Sequence, residues 1–294
     1  MAPYATSPTT GAHDRNQLGN GQLDGSQPFT NSHNDNSNGH VLQSQDELLD
    51  LLCIGFGPAS LAIAIALNDA YESSSSPRPN VLFMEKQSQF AWHAGMQLPG
   101  AKMQISFLKD LATPRDPRSK FTFLNYLFEM GRLNHFINLS TFLPSRIEYE
   151  GYLRWCAGHF EREGKVMYGM EVDGVSAGGK SKDGKVSSFA VTARGRHGDL
   201  VTRRARHVVI AVGGRPIIPR NLAGLKHVSH SSQFGNTITS IQQREGRRAL
   251  RFAVVGSGQS AAEIFNDIWD RFPDSEVKLI IKGASLRPSD DSPL

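Results

Sequence analysis

Two glycine-rich stretches, Gly55-Phe-Gly57-Pro-Ala-Ser60 and Gly256-Ser-Gly258-Gln-Ser-Ala261, carry the residue types that can cradle a pyrophosphate. In the first, Gly55 permits a tight turn, Gly57 lets backbone N–H groups approach a phosphate with no Cβ in the way, and Pro58 suits a first helical turn where its missing donor costs nothing. One such loop holds one dinucleotide. Two in series imply a protein that brings two together, as a flavoenzyme reduced by a nicotinamide cofactor does.

The elements needed to position these loops are present in order. Residues 49–54 (LDLLCI) are almost unbroken apolar sequence, as expected for a parallel strand covered on both faces, and residues 60–70 (SLAIAIALNDA) read as a helix whose N-terminus faces the anion. Residues 81–84 predict a second strand ending in Glu85, about thirty residues after Gly55, where an acceptor for ribose hydroxyls belongs. The second stretch repeats this grammar with a strand at 250–255, the turn Gly256-Ser257-Gly258, a helix at 260–270 and a strand at 277–281. It ends at Lys282, with no acid at the ribose position. A cation there would pair with a 2′-phosphate and favour NADPH over NADH, the alternative being an ordinary solvated strand end. The expected architecture is α/β, with two Rossmann-like dinucleotide-binding domains, one for FAD and one for NADPH.

Composition narrows the class further. The chain has 294 residues, 39% hydrophobic and 20% charged, with a formal net charge of +4, all globular values. The basic run at 194–207 alternates with apolar residues around a Gly-Asp turn and has no interleaved aromatics, so it reads as a solvated β-hairpin rather than a nucleic-acid patch. The apolar runs are too short to span a bilayer and the N-terminus lacks a signal-peptide core, which makes a cytoplasmic enzyme the simplest reading. The two cysteines, Cys53 and Cys156, lie about a hundred residues apart and form no CxxC pair, which argues against a disulfide reductase. No spacing of His, Cys or acidic residues suggests a metal site.

Along the chain, residues 1–45 are rich in Ser, Asn, Gly and Gln and read as a disordered leader. Residues 46–220 are assigned to the FAD-binding domain and 221–294 to the NADPH-binding domain. Within the first, a helix is expected at 121–131, strands at 188–193 and 207–212, and a return to the first sheet at 208–214. The second domain is expected to be incomplete, since a doubly wound half normally needs a third strand and only two precede Leu294. The chain then reads as a fragment, a truncated gene product or an incorrect gene model, with a compact natural variant as the alternative.

Segments 50–61, 90–93 (FAWH), 102–118 (KMQISFLKDLATPRDPR), 121–127, 256–263 and 287–293 closely resemble the L-ornithine N5-monooxygenases of fungal hydroxamate siderophore synthesis. Lysine N6-monooxygenases are the nearest alternative. The resemblance spans residues 46–293 and implies several roles. Glu85, Lys86, Trp92 and His93 would line the FAD adenosine and ribose region, Gln104 would lie near the flavin, and Val172 would touch the adenine side. Gly55, Gly57 and Ser60 belong to the FAD loop; Gly256, Ser257, Gly258, Gln259 and Ser260, with Lys282, would contact NADPH. Lys109 would bind the carboxylate of the amino-acid substrate. The implied reaction consumes NADPH and O2 and hydroxylates the neutral δ-amine of L-ornithine, with FAD carrying the chemistry and no protein nucleophile required. A homo-oligomer is the expected assembly of a full-length protein. The competing readings are a non-catalytic chain with partial nucleotide binding and an FAD/NADPH oxidase or reductase that forms no hydroxylated amine.

Overall fold

The apolar run of the first loop unit is the centre of the sheet. In the computed structural model, which describes residues 47–72 and 74–286, β1 (Leu48–Ile54) lies between β2 (Val81–Glu85) and the long strand β6 (Leu200–Ile210), parallel to both. The expected leader at 1–45 falls outside the described residues. Both faces of β1 are covered, and Leu49, Leu52 and Cys53 are at most 1% exposed, so its lack of polar alternation follows from burial. Each such leucine contributes roughly 1.5–3 kcal/mol relative to exposure.

Helix α1 (Pro58–Glu72) crosses back over one face, with Pro58 opening it and Leu61, Ala64 and Ile65 turned into the core. Between β2 and the next strand, a largely irregular connection over residues 86–122 leads into three helices. α2 (Phe123–Glu129) and α3 (Leu133–Asn138) are short, and α4 (Arg146–Arg162) is long. α2 is shorter at both ends than the expected 121–131: Thr122 caps it by accepting from Asn125 N, and Gly131 ends it at a positive φ of 67°. α4 starts at a Ser-x-x-Glu box, where Ser145 accepts from Glu148 N at 3.1 Å. The Glu148 carboxylate turns instead to Tyr126 Oη (3.0 Å) and Arg132 (2.5 Å), tying α4 to α2 and to the residue that precedes α3.

The chain then adds β3 (Val166–Tyr168) beside β2 and an antiparallel meander of β4 (Glu171–Lys180), β5 (Val186–Arg194) and β6, giving the sheet order β3-β2-β1-β6-β5-β4. The expected hairpin at 194–207 is the β5–β6 turn, closed by Gly195 N donating to Asp199 O at 2.8 Å. β6 is the strand that returns beside β1. It begins before residue 207 and ends at Ile210, where Ala211 N still donates to Ile54 O at 2.8 Å.

The second loop unit follows α5 (Phe234–Glu245): β7 (Arg251–Val255), α6 (Gln259–Arg271) and β8 (Glu276–Ile280), the two strands parallel and in one-to-one register. Its core is built from Phe234, Ile238, Val254, Ala261, Ile264, Ile268 and Phe272 together with Met96 and Leu98, which come from the β2–α2 connection. That connection passes so close to the 3-10 turn Ser231–Gln233 that a Cβ on Gly95 would lie 2.1 Å from Ser232 O, so only glycine fits.

Candidate nucleotide-binding loops and their junction

The first loop sits at the carboxyl ends of β1, β2 and β6, where an open parallel sheet presents its crevice. Gly55 has φ +92°, and a Cβ there would meet Ala211 O at 2.5 Å, so this glycine serves both the turn and the approach of the chain leaving β6. Gly57 differs: nothing lies within 4 Å of where its Cβ would be. That open face adjoins the N-terminus of α1, whose first N–H groups have no partner inside the helix. Ser60 is fully buried and its hydroxyl donates to Gly55 O at 2.7 Å. Its side chain therefore holds the loop in shape rather than facing the crevice.

Glu85, at the tip of β2, is joined directly to this loop. One carboxylate oxygen accepts from Phe56 N and the other from Gln87 N, both at 2.8 Å, which leaves lone pairs for further donors. Lys86 is exposed beside it. Trp92 packs on Tyr149 with ring centroids 5.9 Å apart, and His93 meets Trp92 edge-on at 5.0 Å. His93 holds a left-handed backbone (φ 46°, ψ 41°) that starts the 3-10 turn Ala94–Met96. Partial burial, then the nearby Arg146 charge, hold its imidazole below the ordinary histidine pKa. Val172, on β4, packs against the cluster containing Ile54 and Met84, the residues just before Gly55 and Glu85.

Gln104 and Lys109 are exposed on the connection leading to α2. Lys109 ends the 3-10 turn Phe107–Lys109, capped by Ser106 accepting from Leu108 N at 3.2 Å. The next residue, Asp110, is buried and accepts from Ala112 N, Thr113 N, Thr113 Oγ1 and Phe123 N at 2.6–2.9 Å. This clamps an otherwise irregular segment to the start of α2. Tyr152 Oη adds a second clamp, accepting from Leu111 N at 3.1 Å and donating to Phe121 O at 2.8 Å.

The second loop has the same form. Gly256 has φ +148° and its N–H donates to Ile280 O at 3.0 Å, while Gly258 caps α6 with no side chain, open space on its Cβ side and no capping hydrogen bond. Ser257, Gln259 and Ser260 surround that helix start. Lys282 is exposed two residues beyond β8, at the sheet end that carries the loop. Each loop thus presents an open glycine face at the N-terminus of a helix of more than eight residues, a donor set that fits a diphosphate.

The two thiols take no part in this arrangement. Both are buried, and burial pushes the Cys53 thiol up to about 11 and raises Cys156 further. Among the described residues no helix is long and apolar enough to cross a membrane.

Residues 47–294 match the family described as L-lysine 6-monooxygenase/L-ornithine 5-monooxygenase. The chain belongs to that family. A curated relative, the L-ornithine N(5)-monooxygenase of Aspergillus oryzae, is 51% identical over 258 residues, covering 85% of this chain and 51% of the relative. The ornithine hydroxylase PvdA of Pseudomonas aeruginosa superposes with a TM-score of 0.74 at 38% identity, covering 84% of this chain and 58% of PvdA. The ornithine N-hydroxylase KtzI of Kutzneria sp. 744, solved with reduced FAD, NADP+ and L-ornithine, gives 0.73 at 37% identity, covering 84% and 56%. The chain spans about half the length of the curated relatives it matches.

Two residues of this family member at the junction of its loop units were given no role by the sequence. Arg146, the first residue of α4, makes two hydrogen bonds to Glu263 of α6, at 2.8 and 2.9 Å, and a third to Met96 O at 2.9 Å. The Ser145-x-x-Glu148 spacing could have located Arg146 at a helix start, but it does not name a partner 117 residues away.

Proposed function

We propose that this chain carries the FAD- and NADPH-binding units of an L-ornithine N5-monooxygenase that catalyses N-hydroxylation for hydroxamate siderophore synthesis. The observation that carries this is the pair of open glycine loops, each at a helix start and at the carboxyl end of a parallel sheet, in one member of this family. Residues 46–220 are taken as the FAD unit and 221–294 as the NADPH unit. Ornithine is preferred to lysine because the relatives above are ornithine enzymes.

FAD, when bound, supplies the redox chemistry with O2, and NADPH is its reductant. The chain's own residues bind and orient. Backbone N–H groups around Gly57 and the start of α1 would hold the FAD diphosphate, with Glu85 accepting from the ribose. Those around Gly258 and the start of α6 would hold the NADPH diphosphate, with Lys282 facing the 2′-phosphate. Trp92, His93, Lys86, Gln104 and Val172 complete the FAD surroundings. Lys109 would take the ornithine carboxylate as a point charge, its position set by the Asp110 and Tyr152 clamps. The amine must react unprotonated, although a free amine of this type is mostly charged at neutral pH, so the site has to desolvate it.

The test is to load the purified chain with FAD and supply NADPH, O2 and ornithine. Bound FAD, NADPH consumption and hydroxylated ornithine are expected. NADPH consumption without hydroxylated amine would make the protein an oxidase or reductase. FAD uptake without NADPH consumption would reduce the proposal to nucleotide binding, and preference for lysine would move the substrate assignment.

A further inference from the structure

We propose that Glu263 is a positioning residue that, gripped by Arg146, fixes the helix behind the second nucleotide loop to the first unit, so that both loops keep a single register. The inference rests on the two-nucleotide reading above. The Glu263 carboxylate lies one turn into α6 and gathers three donors. Two come from the Arg146 guanidinium, and the third is Gln259 Nε2 at 3.0 Å, from the residue that follows Gly258. Any shift of Glu263 is therefore passed to the residue beside the loop.

Both ends of this strut are anchored in rigid structure. Arg146 follows the Ser145 cap, donates through its backbone to Ala101 O at 2.8 Å and through its side chain to Met96 O. Glu263 sits in a helix whose Ala261, Ile264 and Ile268 are buried in the second core. The Arg146 and Glu263 side chains are only 12% and 13% exposed, so the pair is shielded from salt and from competing water. Apolar packing of Met96 and Leu98 against α5 and α6 supplies adhesion but little direction. A bidentate guanidinium–carboxylate contact supplies direction, because its two parallel bonds tolerate little rotation.

A pair that merely stabilised the fold would behave differently on substitution, and a mutant cycle separates the two. Glu263→Gln leaves Arg146 buried without a counter-charge, so both stability and register should suffer. Arg146→Gln combined with Glu263→Gln removes the stranded charge and should restore most of the melting temperature, yet cannot rebuild the strut. In the ligand-free chain, hydrogen exchange should accelerate by about tenfold or more, together at the start of α6 and at residues 96–101, in the single and the double variant, with β1 and α1 unchanged. In the FAD-loaded chain, reduction by saturating NADPH should slow by roughly tenfold in both variants, while half-saturation for NADPH moves less than about threefold.

Unchanged exchange in either segment, or a double variant that recovers the reduction rate along with its melting temperature, overturns the proposal. If NADPH fails to reduce even the unsubstituted chain, the two-nucleotide reading falls, and the exchange comparison still decides the strut.

Discussion

The two glycines of the first loop should fail in opposite ways when each is given a methyl group. At Gly55 the backbone has φ +92°, and the new Cβ would lie 2.5 Å from Ala211 O and 3.0 Å from Ala211 C. Both are backbone atoms of the segment leaving β6, held by the Ala211 N to Ile54 O bond, so neither can rotate away. The unfavourable φ costs about 1–2 kcal/mol, and forcing strands apart in a packed core adds about 1–3 kcal/mol. Gly55→Ala should therefore lose about 3 kcal/mol, a large fraction of a typical stability, and lower Tm by roughly 6–12 °C. Gly57→Ala meets nothing within 4 Å and has no positive φ, so stability should move by less than about 0.5 kcal/mol. Its methyl would instead fill the open face offered to the diphosphate. Urea denaturation of both variants, with FAD titration followed by fluorescence, checks the pair. The reasoning is refuted if Gly57→Ala binds FAD as tightly as the unsubstituted chain, or if Gly55→Ala unfolds at the same urea concentration as it.

Other outcomes follow from single contacts. Lys109→Met should leave Tm nearly unchanged, since the residue is exposed, and raise the KM for ornithine about 10–100-fold through loss of one charge-assisted contact; steady-state kinetics decide it, and an unaltered KM would remove Lys109 from the substrate site. Tyr152→Phe strands Leu111 N–H and Phe121 C=O in the core and should cost about 2–3 kcal/mol, read from the urea midpoint. Burial, ahead of the nearby charges, lowers the His159 pKa, and burial then Arg146 lowers that of His93. Below about pH 6.5 the unfolded chain thus takes up protons that the folded chain refuses, so stability should fall as pH drops from there towards the depressed values. A urea midpoint that rises over that interval would contradict the assignment.

What could be read from sequence was local. Apolar runs located β1 and β2 to within one residue, because buried parallel strands need no polar alternation, whereas β7 and β8, whose exposure alternates along the strand, were located by their place on either side of the second glycine turn and its helix. Pro58 and the two glycine turns marked where α1 and α6 begin, and the Gly-Asp turn marked the β5–β6 hairpin. The crevice was legible for the same reason: a loop, a helix N-terminus and Glu85 are consecutive parts of one βαβ unit.

Only the tertiary structure decided the rest. It turned the Ser60 hydroxyl inward to Gly55 O and pressed Gly55 against Ala211. Met96 and Leu98 joined the second core although they precede it by more than a hundred residues, and Arg146 met Glu263 across 117. No hydrophobic period or capping signal encodes such contacts, since each depends on where a distant segment comes to rest. Sequence spacing determined that there are two glycine loops, each opening a helix, and three-dimensional packing determined how one is held against the other.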